Sequence, residues 1–96
     1  MTHYLALVHK EADSCYGVSF PDVPGVIAAG DTLDEAVEKA GEALAFAAED
    51  WHQYAGAPFP APRSFEALRA DLEAATIARE AVWVAIPLRS RFQEAA

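Results

Sequence analysis

Apolar and polar residues alternate along two short stretches near the start of the chain, which is the pattern of β-strands. In Tyr4–Lys10 both alternating faces are mostly apolar, which predicts a strand covered on both sides. In Tyr16–Phe20 one face carries the large apolar side chains, whereas Gly17 and Ser19 lie on the opposite face, as in a half-buried strand. The polar residues 11–14 between these two strands favour a hairpin.

A turn and a third short strand are predicted next. Proline cannot donate to a sheet ladder, so Pro21–Gly25 ends the second strand. Within it, Pro24 followed by Gly25 suits the centre of a type II turn. The apolar run Val26–Ala29 can then resume as a strand.

One long amphipathic helix follows, from Thr32 to Tyr54. Thr32 can act as the capping acceptor while Glu35 reaches back, which together form a capping box. Apolar residues then recur at spacings of three, four and seven, so they form one stripe that we expect to pack on the sheet. The members of this stripe are Leu33, Val37, Ala40, Leu44, Ala47 and Trp51.

The opposite side of the same helix is acidic and carries one large aromatic residue. Residues 31–50 contain seven acidic residues, with Lys39 as the one basic residue. Phe46 lies among the acids, so it is either covered by a later segment or belongs to an oligomer or partner surface, where aromatic residues are enriched. Exposure and charge select the candidate partner-binding residues, which are Glu35, Glu38, Glu42, Phe46 and Glu49.

The remaining third of the chain predicts a connection, a short helix and a last strand. Alternating prolines in residues 56–62 favour an extended surface connection. Ser64 can cap a short helix that reaches Leu72. Val82–Leu88 alternate as a strand, in which Pro87 marks the end or a sheet edge. This order of elements predicts an α+β fold with one long helix on an antiparallel-rich sheet.

Length and composition limit the classes of protein to which the chain can belong. Its 96 residues, 53% of them hydrophobic, favour a single folded domain with one core. Fifteen acidic residues against seven basic ones give a net charge of -8, which disfavours direct binding to nucleic acid or to an anionic membrane and favours a basic protein partner. The chain shows neither a signal-peptide pattern nor an apolar run of ~20 residues. A single cysteine favours a reducing compartment, so we expect the cytoplasm.

Few residues suggest catalysis or metal binding. His9, Cys15 and Asp22 surround the predicted hairpin, but a nucleophile and its base also need a defined geometry, and Cys15 is more typical of an ordinary hairpin residue. The carboxylates at positions 35, 38 and 42 could chelate a cation, although an exposed helix face of this kind is usually only solvated. The glycines are too dispersed for a phosphate-binding loop. We therefore expect no catalytic residue, no metal and no cofactor.

Three motifs in succession resemble those of the HicB-like antitoxin family. They are YGVSFPDVPG at residues 16–25, GDTLDEA at 30–36 and EAL at 42–44. The resemblance implies a partial ribonuclease H-like βββαβ fold without nuclease activity. It also implies that the chain binds and neutralises a small basic HicA-type toxin that cleaves messenger RNA.

Several expectations about domain organisation and partners accompany this resemblance. Many family members continue into a ribbon-helix-helix or helix-turn-helix module that binds their own promoter, whereas only residues 89–96 follow the last strand here. We therefore expect one domain spanning residues 1–96, without such a module. Edge strands and Phe46 predict a homo-oligomer, a dimer or a tetramer. Two alternatives remain: an oligomeric scaffold protein without a toxin, and a small hydrolase that uses Cys15 or the acidic residues.

Overall fold

Within the part of the chain that the structure describes, the main elements are a four-stranded antiparallel sheet, one long helix and one short helix. The computed structural model describes residues 2–10, 15–55, 58–71, 76, 79 and 81–89. The elements in chain order are β1 (His3–Lys10), β2 (Tyr16–Ser19), β3 (Ile27–Gly30), α1 (Leu33–Ala55), α2 (Phe65–Ala70) and β4 (Val82–Pro87). The strands lie in the order β3-β2-β1-β4, so β3 and β4 are the edges. This arrangement confirms the predicted α+β fold class and the predicted order of elements.

The hairpin and the turn after it form as predicted. Lys10 of β1 is paired with Tyr16 of β2 in an antiparallel arrangement, and residues 11–14 between them lie outside the described residues. At the far end of β2, the amide of Val26 donates to the carbonyl of Val23 at 3.2 Å. Gly25 has a φ of 92°, which is the left-handed conformation that a type II turn requires at this position. The strand β3 begins one residue later than predicted, at Ile27.

The core lies between α1 and one face of the sheet. Among the described residues, its buried members are Tyr4, Ala6, Val8, Val18, Phe20, Val23, Ala36, Ala40, Leu44 and Ile86. On α1 the buried line runs through residues 36, 40 and 44, and Val37 and Trp51 pack at its margin.

Leu33 was expected in this core, and that expectation is wrong, because its side chain is 47% exposed. The start of the helix lies very close to the end of β3 at Ala36, since a Cβ on Gly30 would lie 2.6 Å from the Ala36 nitrogen. At about 100° per residue Leu33 lies at an angle between those of Ala40 and Leu44, so its angle alone would place it on the buried side. It is exposed because it is the first residue of α1, about one turn before Ala36, at the end of the helix.

The short helix α2 covers the other face of the sheet. Leu7 and Leu68 are completely buried although they lie outside the main core. Trp83, which pairs with Leu7 across the strands, meets the ring of Phe65 edge to face at 5.6 Å between centroids. Strand β1 is therefore covered on both sides, as its two apolar faces predicted. The Ser64 cap is also confirmed, because its Oγ accepts from the amide of residue 67 at 3.1 Å.

The connection between the helices is held to the sheet along its described part. The ring of Phe59 packs edge to face against Tyr4 and against Trp51, and the Tyr4 hydroxyl donates to the carbonyl of Pro60. Burial, and in second place the negative charge of Asp22, raises the pKa of Tyr4 above its ordinary value. The prediction of an ordered connection is confirmed for residues 58–62, whereas Gly56, Ala57 and Leu72 lie outside the described residues.

Arg63 connects this segment to the sheet and to α2. Its Nε and its backbone amide both donate to the carboxylate of Asp22, the amide at 2.8 Å, and its Nη1 donates to Asp71 at 3.1 Å. The Asp22 side chain is only 4% exposed, so its charge is buried with a cationic partner and two hydrogen bonds. A buried carboxylate needs such partners, which explains why Asp22 is tolerated there.

Candidate partner-binding surface

The acidic face of α1 is placed by the capped start of this helix. Thr32 Oγ1 accepts from the backbone amide of Glu35 at 3.1 Å, and the Thr32 carbonyl accepts from Ala36 at 3.0 Å. The Glu35 carboxylate bonds to Lys39 Nζ at 3.0 Å, one helical turn further along. The hydrogen bond and the charge of Lys39 lower the pKa of Glu35, and the backbone amide of Asp31 acts in the same direction. The predicted cap is confirmed, and Lys39 offsets one of the acids on this face.

The five candidate residues differ in their solvent exposure. Glu38, Glu42 and Phe46 are exposed, with 56% of Phe46 accessible. Glu35 and Glu49 are half-buried, the first in its ion pair with Lys39 and the second with its Oε2 closed off from solvent. Helix periodicity therefore predicted the exposed side correctly for three residues and overestimated exposure for two. Their role in binding a partner stays a prediction.

An open groove of about 1320 Å³ runs between α1 and the edge strand β4. Leu33 and Phe46 stand along it with much of their side chains exposed, and Glu38 and Glu42 also line it. Its further lining residues are Asp34, Val37, Lys39, Gly41, Ala43, Ala45, Val84, Ile86, Pro87 and Arg89. The sequence did not predict this groove, since it depends on the distance between α1 and β4. The one feature of the sequence that could have indicated the groove is Gly41, because a glycine is unusual among the good helix formers around it.

The residues considered for catalysis are not brought together. Cys15 lies just before β2, whereas Asp22 lies in the turn segment that follows the other end of that strand, and it binds Arg63. His9 is paired across the strands with Gly17, near the Cys15 end. A nucleophile, a base and an orienting group must lie within hydrogen-bond reach of one another, which this arrangement does not provide for the three residues.

Two further observations concern the described residues only. They contain no group of three or more histidine, cysteine, aspartate or glutamate side chains placed to hold a metal ion. Their helices include none that is both long enough and apolar enough to cross a membrane.

A family model agrees with this fold and with the motifs on it. The model described as the HicB_like antitoxin of bacterial toxin-antitoxin systems matches residues 4–94. The chain belongs to this family. The resemblance drawn from residues 16–25, 30–36 and 42–44 is thereby confirmed.

Solved structures of HicB antitoxins have the same fold. The N-terminal domain of Burkholderia pseudomallei antitoxin HicB is 30% identical, with a TM-score of 0.74 over 92% of this chain and 99% of that domain. The longer Burkholderia pseudomallei HicB is 31% identical, with a TM-score of 0.70 over 93% of this chain and 63% of that protein. A chain of the HicA3 and HicB3 toxin-antitoxin complex is 22% identical, with a TM-score of 0.68 over 90% of this chain and 96% of that chain. At that identity the last likeness shows the fold alone.

A phage protein gives a shorter match. An uncharacterized 14.9 kDa protein from the rep-hol intergenic region of Haemophilus phage HP1 is 59% identical over 43 residues. Those residues are 45% of this chain and 32% of the phage protein, so the match spans about a third of that relative's length.

Proposed function

We propose that this HicB-like chain is an antitoxin that binds and neutralises a small basic HicA-type toxin by covering its RNA-binding surface. Membership of the antitoxin family supports the role of inhibitor. The same proposal makes the chain a cytoplasmic binding protein that is not itself an enzyme and does not bind nucleic acid directly. The net charge of -8 supports this assignment, because an RNA or DNA backbone would be repelled.

The observation that carries the proposal is the exposed Phe46 on the acidic side of α1. A large aromatic side chain that is 56% exposed is typical of an interface, where aromatic residues supply buried contact area. Glu38 and Glu42, which are also exposed, extend the same surface. An RNA-cleaving toxin presents a basic surface to its substrate, and that surface is complementary to this one.

The complex of HicA3 and HicB3 supports the type of partner. One of its chains has the fold of this protein over 96% of its length. Because the two chains are 22% identical, the partner is inferred here from that complex together with the acidic surface, and not from matched contact residues.

Reversing two charges on α1 is expected to slow association with the toxin. Glu38→Lys combined with Glu42→Lys should lower the association rate about tenfold or more at low salt, because opposite charges steer the two proteins together. Raising the salt concentration should slow the wild-type chain in the same way. Stopped-flow or surface-binding kinetics with a catalytically inactive toxin would measure both effects.

A matched pair of single variants controls for net charge. Glu42→Lys and Glu66→Lys change the charge equally, but Glu66 is exposed on α2, which covers the other face of the sheet. We expect only Glu42→Lys to slow association markedly. Equal effects of the two variants would place the toxin elsewhere on the surface.

A ribonuclease assay tests the inhibitory role itself. The purified chain should suppress RNA cleavage by the HicA-type protein encoded beside it, at about one binding site per toxin molecule, and should cleave neither RNA nor DNA alone. Cleavage by the chain that depends on a divalent metal and is lost when the acidic residues are replaced would contradict the inhibitor proposal.

We also propose that the chain forms a homodimer or a larger homo-oligomer. Both edge strands carry a large exposed apolar residue, Ile27 on β3 at 72% and Val82 on β4 at 65%. Exposed edges of this kind pair readily with a second chain. Light scattering at micromolar concentration should give at least twice the 10.3 kDa mass of the chain, and a monomer mass would reject this expectation. An oligomer with no effect on the toxin would instead favour a scaffold protein.

A further inference from the structure

Gly41 lies inside α1, where the fold does not require a glycine. A Cβ at this position would meet only Ile86 Cγ2, at 3.9 Å, which is an ordinary contact. Gly30 is different, because a Cβ there would lie 2.6 Å from backbone. Glycine weakens a helix interior relative to alanine, so its presence at position 41 is not explained by packing. Because glycine has no side chain, position 41 leaves the groove between α1 and β4 open.

The groove next to Gly41 is open and is lined in part by exposed apolar side chains. Leu33 and Phe46, which are 47% and 56% exposed, line it together with Val84 and with Ile86, which is itself buried. Its volume of about 1320 Å³ exceeds the ~300–1,000 Å³ of usual small-molecule sites. Exposed apolar side chains gathered along one groove mark an interaction surface.

The charges around the groove indicate which partner fits. Three exposed acids line it, Asp34, Glu38 and Glu42, against two cations, Lys39 and Arg89. Lys39 is engaged by Glu35 at 3.0 Å, so the acids exceed the cationic charge that is left to balance them. A second copy of this chain would bring a further net charge of -8 to these acids. A basic partner would instead pair with them, because complementary charge selects one partner and repels the other.

We propose that the groove receives an apolar side chain of the basic toxin, flanked in the toxin by lysine or arginine residues that pair with the acids of the groove. In this arrangement Gly41 keeps the space for that side chain free. The inference rests on the proposed function, and it extends the contact surface from the acidic side of α1 to the groove beside β4.

Filling the groove tests this proposal. Gly41→Leu should weaken binding of the catalytically inactive HicA-type protein encoded beside this chain by about tenfold or more, as expected for a blocked interface centre. The thermal unfolding midpoint should not fall, because leucine is a better helix former than glycine and the groove has room for it. Ala67→Leu places the same side chain on the exposed surface of α2 and should bind the toxin as the wild type does. Calorimetric titration would measure the affinities.

A second variant covers the case in which Gly41→Leu does not fold. Leu33→Ala removes an apolar side chain that is 47% exposed, so it should keep the fold and still weaken toxin binding several-fold. If both variants bind the toxin with the affinity of the wild type, the proposed role of the groove is wrong, whereas the proposed function is unaffected. An altered oligomer mass in Gly41→Leu with unchanged toxin affinity would assign the groove to a second copy and overturn the inference. A wild-type chain that does not bind the toxin would overturn the proposed function and this inference together.

Discussion

Replacing Leu44 with alanine is expected to lower the free energy of unfolding by about 2–5 kcal/mol. Leu44 is completely buried in the middle of α1, where it packs with the core residues of the sheet. Truncation to alanine removes buried apolar atoms and leaves a cavity that the close-packed surroundings fill only in part. Urea denaturation followed by circular dichroism would measure the loss.

Leu33→Ala is the matched control for this cavity. It is the same substitution in the same helix, at a residue that shares the apolar stripe in the sequence but is 47% exposed in the structure. We expect it to cost less than about 1 kcal/mol. If Leu44→Ala cost under about 0.5 kcal/mol, the range of surface substitutions, the assigned face of α1 would be wrong.

Gly30→Ala is expected to destabilise the protein by about 1–3 kcal/mol, through overpacking and not through a cavity. An added Cβ would lie 2.6 Å from the Ala36 nitrogen and 3.0 Å from its Cα. These are backbone atoms in the first turns of α1, so they cannot move aside as a flexible side chain could. The end of β3 and the start of α1 would have to separate.

Gly41→Ala separates this close approach from the general effect of replacing a glycine. Its Cβ would have only an ordinary contact with Ile86, and alanine in place of glycine inside a helix should add up to ~1 kcal/mol of stability. Thermal unfolding of both variants should therefore shift in opposite directions. A Gly30→Ala variant as stable as the wild type would mean that β3 and α1 lie further apart than described.

Much of the local structure could be predicted because its causes lie within a few residues. Gly25 takes a positive φ that suits glycine, and Thr32 binds an amide three residues ahead. The alternation in β1 already indicated that both of its faces would be covered, since neither Leu7 nor its neighbours could be left in water without cost.

The candidate surface could be predicted in part for the same reason. A period of 3.6 residues places Glu38, Glu42 and Phe46 away from the buried line of α1, and all three are exposed. Glu35 and Lys39 lie four residues apart, so helix spacing alone also allows their ion pair. It does not show that Glu49 would be half-buried, because the burial of one side chain depends on the tertiary packing around it.

Sequence alone therefore determined the strands, the turn, the capped helix and its acidic side, which are set by short-range hydrogen bonds and by periodic burial. Only the tertiary structure decided that Ala36 meets the sheet in place of Leu33, and that Asp22 binds Arg63, 41 positions further along. It also decided that a groove stays open between α1 and β4. These features depend on how closely distant segments approach one another, and the spacing of residues along one segment does not contain that distance.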